Sequence, residues 1–216
     1  MASSPKDVFL DDLMNEFAWR RKELRVLLNV VKQKKEPVLF KAGITMIYAH
    51  WEGFVKNSCE LYLKSVSKLK LKHRDLKPHF IALSLKSKMP KLKQNDIRIL
   101  ATAVEEILGS LENKASISYK GVIHTRSNLK YDVFEEILFI IGIPSNAFSF
   151  GVEKKKPEDV VNDLVSLRNK IAHGEYIHID VDYLEELHKY MDSLMYQMKT
   201  YVENAFVLEE YLEDAS

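Results

Sequence analysis

The sequence predicts an all-α protein built as an antiparallel bundle of six or seven helices. Three observations carry that expectation. Gly and Pro are scarce, seven and six in 216 residues, so few positions are free to break regular structure. Apolar residues return at intervals of three and four along most of the chain, the period of a helix with one buried side. Hydrophobic content is 46% and charged content 29%, which is enough apolar material for a core. The length fits one domain over 1–216, with an irregular, basic and only partly helical insertion at about 67–130.

Taken in order, Phe9, Leu13, Phe17, Leu24, Leu27 and Val31 form the first apolar stripe. Pro37 suits a first helical position, and Phe40, Ile44, Ile47, Trp51 and Phe54 extend a long second helix over about 37–66. The stretch 64–93 is interrupted by Pro78 and Pro90 and leaves room for one short helix around Phe80–Leu85. Asn95 or Asp96 can cap a helix whose core residues would be Ile97, Leu100, Val104, Ile107 and Leu111. Residues 113–129 carry no helical period and read as loop, with Gly121–His124 the one place suited to a short strand. Asp132–Ile141 reads as a helix closed by Gly142 and Pro144. Pro157, Glu158 and Asp159 open the next, with acids at the positive end of its dipole, and Gly174 closes it. Asp180 or Asp182 caps a last long helix with Leu184, Leu187, Met191, Leu194, Met198 and Tyr201 on one seam.

Charge and cysteine usage narrow the class. With 32 basic and 31 acidic residues the net charge points to no partner, but its distribution is uneven. Residues 64–93 hold ten Lys or Arg against Asp75, and 175–216 hold eleven acids against Lys189 and Lys199. Such asymmetry fits either a polyanion-binding face beside an acidic one or simply two solvated surfaces. A lone Cys59 excludes an intramolecular disulfide and a cysteine-based zinc cage. The start "MASSPKDVFLDDLMNEF" lacks the basic, then apolar, pattern of a secretory signal, and no run approaches the ~20 apolar residues of a membrane span. A soluble, cytoplasmic protein is expected.

The chemistry concentrates in "VSLRNKIAHGEY", 165–176. Asn169 and His173 are four apart on a helix and share a face. Arg168 and His173 are five apart, about 140° around and roughly 7.5 Å along the axis. Those residue types suit RNA cleavage by the RNA's own 2′-hydroxyl: imidazole can move protons near neutrality, and guanidinium matches phosphate oxygens. Neither metal nor cofactor is needed. One histidine does not readily serve as both base and acid, whereas a two-fold dimer would supply two. The same pattern also fits a bland arrangement, with Arg168 in a surface ion pair and His173 closing a helix. A second Arg–x4–His, "RDLKPH" at 74–79, contains Pro78 and cannot share the helical geometry.

"LRNKIAHGEY" (167–176) resembles the Arg–polar–x3–His signature of HEPN domains. "ITMIYAHWEGFVKNSCELYL" (44–63) and "RSNLKYDVFEEILFIIGIP" (126–144) resemble one prokaryotic branch of that superfamily, so the likeness spans most of the chain. It implies a HEPN-like antiparallel helical bundle, usually a homodimer with the signature residues of both protomers facing each other. It also implies metal-independent endoribonuclease activity, typically in toxin–antitoxin or phage-defence settings with an antitoxin or other partner protein. Under that resemblance Arg168 would hold the scissile phosphate, His173 would be the acid/base, and Asn169 would orient them or the substrate. The superfamily also uses this bundle as a non-catalytic module binding RNA, nucleotide or a partner protein. In some HEPN toxins a modified tyrosine follows the histidine by two residues. Tyr176 follows by three, so it is assigned packing or substrate stacking instead.

Remaining candidates carry less. Arg126 and Lys130, with Tyr119 in "YKGVIHTRSNLK", suit RNA contact. The basic 64–93 run could bind an RNA backbone. His178, Asp180, Asp182 and His188 match no metal-ligand spacing, and helix capping explains the acids more simply. Glu52 is either a carboxylate reaching the site or a satisfied core residue. For the acidic last helix, the Met-rich seam is either bundle core or a docking face for a partner.

Overall fold

The computed structural model describes residues 4–87, 95–151 and 155–213. Helix α1 (Pro5–Lys34) starts in a reciprocal cap: the Asp7 amide donates to Ser4 Oγ, and the Ser4 amide donates to the Asp7 carboxylate, both at 3.1 Å. Lys35, in the left-handed region at φ 52°, turns the chain into α2 (Pro37–Lys68). After a 3-10 turn at His73–Asp75 come α3 (Pro78–Leu85), α4 (Ile97–Gly109), α5 (Tyr131–Ile141), α6 (Pro157–Ala172) and α7 (Val181–Val207). The class is all-α, as the periodicity predicts.

Three long helices make the centre. α1, α2 and α7 pack against one another, α6 lies on α2 and α7, and α5 fills the space beside α2, α3 and α6. α2 buries a broad side, with Ile44, Ile47, Tyr48, Trp51, Phe54, Val55, Cys59 and Leu63 almost or wholly sealed from water, and leaves a stripe from Val38 through Ala42, Thr45 and Ala49 to Lys56 exposed. On α7 the methionine seam is spent in this core: Met191, Leu194, Met195 and Met198 are buried. The docking face considered for those methionines does not exist. Burial also raises the Cys59 thiol pKa far above its usual range, which fits a core residue and not a nucleophile.

The insertion is tied down by polar contacts. His73, itself buried, is 2.9 Å through Nδ1 from the carbonyls of Ser110 and Asn113, so Nδ1 carries the proton. Its Nε2 lies 2.9 Å from Ser84 Oγ, which also accepts the Ser116 amide. One imidazole thus joins the 3-10 turn, α3 and the segment after α4.

Two expectations fail here. The segment 121–124 is no strand; Gly121, at φ 63°, sits in a turn that sends Val122 and Ile123 into the core. α4 forms where its period and the Asp96 cap place it, with the Arg98 amide donating to Asp96 at 2.9 Å. Yet it buries only Ala103, while Ile97 is 74%, Val104 46% and Leu108 60% exposed. Periodicity shows that a helix has an apolar side; it does not supply a neighbour to cover it. The break expected at Pro90 and the charges Lys88, Lys91 and Lys93 lie outside the described residues.

The contrast is measurable by urea denaturation. Leu194→Ala, at a fully buried α7 position, should cost about 2–5 kcal/mol, whereas Leu108→Ala on α4 should stay within about 0.5 kcal/mol.

Candidate functional site

α6 is held by Val160, Val161, Leu164 and Val165 in the core. Its end is closed by successive amides: His173 N–H donates to Asn169 O at 2.9 Å, Gly174 N–H to Ile171 O at 3.1 Å, and Glu175 N–H to Lys170 O at 2.9 Å. Gly174 takes φ 73°, where a side chain would be strained. His173 is therefore the last residue before the chain leaves the helix, and its side chain is exposed.

Positions three and four apart on the same helix, from Asn162 through Ser166 and Asn169 to His173, face an open cleft of about 620 Å³. Lys130, just before α5, Asp132, Glu158, Lys170 and Glu175 also line it. Among the described residues no hydrogen bond or ion pair engages the His173 imidazole.

Arg168 points elsewhere. It lies about 100° around the helix from Asn169, half-buried, with its guanidinium carbon 4.7 Å from the centroid of the Tyr48 ring on α2. Nη1 donates to Asn128 Oδ1 and to Asn169 Oδ1, both at 2.9 Å. No carboxylate forms an ion pair with it, and its Nε and Nη2 have no acceptor, among the described residues. Asn169 thus links the arginine to the cleft holding His173. Among the described residues the surface ion pair of the bland arrangement is absent, although His173 does end the helix through its backbone.

Tyr48 is fixed from both sides. Its hydroxyl accepts the Leu129 amide at 2.9 Å. Burial raises the hydroxyl pKa, with the Glu52 carboxylate adding to the rise and the Leu129 amide and Arg168 opposing it. The ring under the guanidinium therefore stays neutral at physiological pH. Glu52 is half-buried beside this hydroxyl.

The other candidates are placed unevenly. Lys130 shares the cleft with Asn169 and His173. Arg126 does not line it; its Nη2 donates to both Glu136 oxygens, at 2.8 and 2.6 Å. Tyr176 is 89% exposed and does not pack in the core of this chain; Lys41 Nζ lies 5.9 Å from its ring centroid. In the basic run, Lys72 and Arg74 are both paired with Glu112. Asp180 caps α7, accepting the Tyr183 amide at 2.8 Å. Two residues went unnoticed in the sequence, Tyr48 and Asn128. One hides in an apolar run where a tyrosine looks like core, the other in a loop without period.

A family model described as HEPN_MAE_28990-like HEPN matches residues 9–211. No curated protein sequence and no solved structure matches the chain. No helix among the described residues is long and apolar enough to cross a membrane.

The Tyr48–Leu129 contact has a defined energetic consequence. Both residues are buried, so Tyr48→Phe leaves the Leu129 amide without an acceptor. Chemical denaturation should show a loss of about 1–3 kcal/mol; an unchanged midpoint would mean that water replaces the hydroxyl.

Proposed function

The chain belongs to the HEPN_MAE_28990-like HEPN family, and on that footing we propose that it is a metal-independent endoribonuclease acting as a toxin or defence effector. The observation that carries this reading is a single linked group. Among the described residues Arg168 is a cation with no carboxylate partner, and Asn169 joins it to a cleft where His173 is open to solvent. The whole of 1–216 acts as one HEPN unit in the cytoplasm, with RNA as substrate.

In the reaction, the 2′-oxygen attacks the adjacent phosphorus while a base removes its proton. The bond from phosphorus to the 5′-oxygen breaks, and an acid protonates that oxygen. The products are a 2′,3′-cyclic phosphate and a 5′-hydroxyl, with no water consumed. His173 suits either proton transfer near neutrality. Arg168 neutralises the phosphorane through its Nε and Nη2 edge. A homodimer brings a second His173 for the other transfer. Lys130 offers a phosphate contact in the same cleft, and Tyr176 with Lys41 offers a ring and a charge for a flanking nucleotide. Arg126 joins them only by leaving Glu136. An antitoxin or other partner protein restrains the activity in the cell.

One observation favours a second reading, a non-catalytic HEPN module that binds RNA, nucleotide or a partner. No group among the described residues orients the His173 imidazole, whereas catalytic histidines are usually held in one tautomer by a neighbour.

Purified protein should cut RNA in EDTA and leave cyclic phosphate ends, and His173→Ala should lower the rate by about 10² or more. Activity abolished by chelator, or full activity in His173→Ala, would overturn the nuclease. Harmless expression of the wild-type chain, with an unchanged cellular RNA profile, would favour the binding module.

A further inference from the structure

We propose that Asn128 and Tyr48 form an uncharged clamp that fixes the Arg168 guanidinium while reserving its full charge, and its Nε–Nη2 edge, for a phosphodiester. The clamp deepens the ribonuclease reading and rests on it for the identity of the anion.

The parts come from three places in the chain: Tyr48 from α2, Asn128 from the segment before α5, and Arg168 from α6. The ring carries one face of the guanidinium, and the two asparagine oxygens occupy both hydrogens of Nη1. Because Nη1 donates, the oxygen of each amide must be the atom that faces it. These contacts restrict the swing of the guanidinium plane.

Asn128 is itself held. The next amide, Leu129 N–H, donates to the Tyr48 hydroxyl, and Lys130 N–H donates back to Asn128 O at 2.9 Å. Leu129 is fully buried, which anchors the segment. Two residues earlier, Arg126 takes φ 56° and pairs with Glu136. The residue suspected of touching substrate therefore braces the turn that presents Asn128.

The chemistry of the acceptors decides what the clamp is for. A half-buried arginine is ordinarily stabilised by a carboxylate, in a charge-assisted pair that cancels its charge. Here every acceptor among the described residues is a neutral amide and the stacking partner is a neutral phenol. Neutral partners restrain the group without consuming its charge. The two open donors, Nε and Nη2, are spaced to meet two oxygens of one phosphate. Asn128 and Tyr48 are positioning residues, acting on substrate only through Arg168.

Two substitutions at half-exposed Asn128 separate restraint from charge. Asn128→Ala removes an acceptor; Asn128→Asp keeps it in the same shape and adds a negative charge. In the ¹⁵N-labelled full chain, the Arg168 Nε–H resonance is identified by its loss in Arg168→Lys. Asn128→Ala should speed rotation of the Arg168 guanidinium, whereas Asn128→Asp should leave it as slow as in the wild type. Binding of a short single-stranded RNA should lose one phosphate contact in Asn128→Asp, lowering its salt slope by about 0.7. Cleavage by Asn128→Ala should fall about tenfold or more through misplacement. Unchanged Arg168 motion in Asn128→Ala, or a wild-type salt slope in Asn128→Asp, would overturn the clamp. The nuclease reading fails separately, if the wild-type chain cuts no RNA in EDTA while inorganic phosphate still shifts the Arg168 Nε–H. If Asn128→Asp then abolishes that shift, the clamp stands without the cleavage.

Discussion

Helix α2 leaves one stripe to water, from Val38 through Ala42, Thr45 and Ala49 to Lys56, and the positions of the other long elements follow from covering the rest of it. A helix with so broad a buried side needs several neighbours, and α1, α7, α6 and α5 take those places. α6 is thereby held against α2 at the level of Tyr48. Its arginine is pressed onto a fixed ring, and its histidine, further round and one turn on, emerges at the free end. The division of α6 into an inward cation and an outward imidazole is a result of packing, with no special local structure required.

Much of this was visible in the sequence, for reasons that can be named. Pro37, Pro157, Gly142 and Gly174 mark helix ends through local backbone chemistry, which needs no knowledge of neighbours. The stripes of α1, α2 and α7 are long, so chance periodicity is averaged away. α4 shows the limit: its stripe is as regular as the others, yet none of it is fully buried, with Ile97 and Val104 exposed and Leu100, Ile107 and Leu111 half-buried. The Met-rich seam shows the same limit in reverse, since apolar spacing alone does not separate core from docking surface.

The site was legible in part. Arg168, Asn169 and His173 announce themselves by residue type and spacing, and the expected angle between Arg168 and His173 matches their different surroundings. What fixes Arg168 was hidden, because Tyr48 and Asn128 are 120 and 40 positions away along the chain. Contacts of that separation leave no local pattern. The Glu136 partner of Arg126 was hidden for a related reason: a basic residue in a loop gives no sign of a carboxylate ten positions on.

Cys59 carries a practical corollary. The chain's one thiol sits at zero exposure in the middle of α2, so a thiol-modifying reagent meets it only when the central helix comes away from its neighbours. Its labelling rate is then a clock for opening of the whole core, built into the wild-type molecule without an added probe.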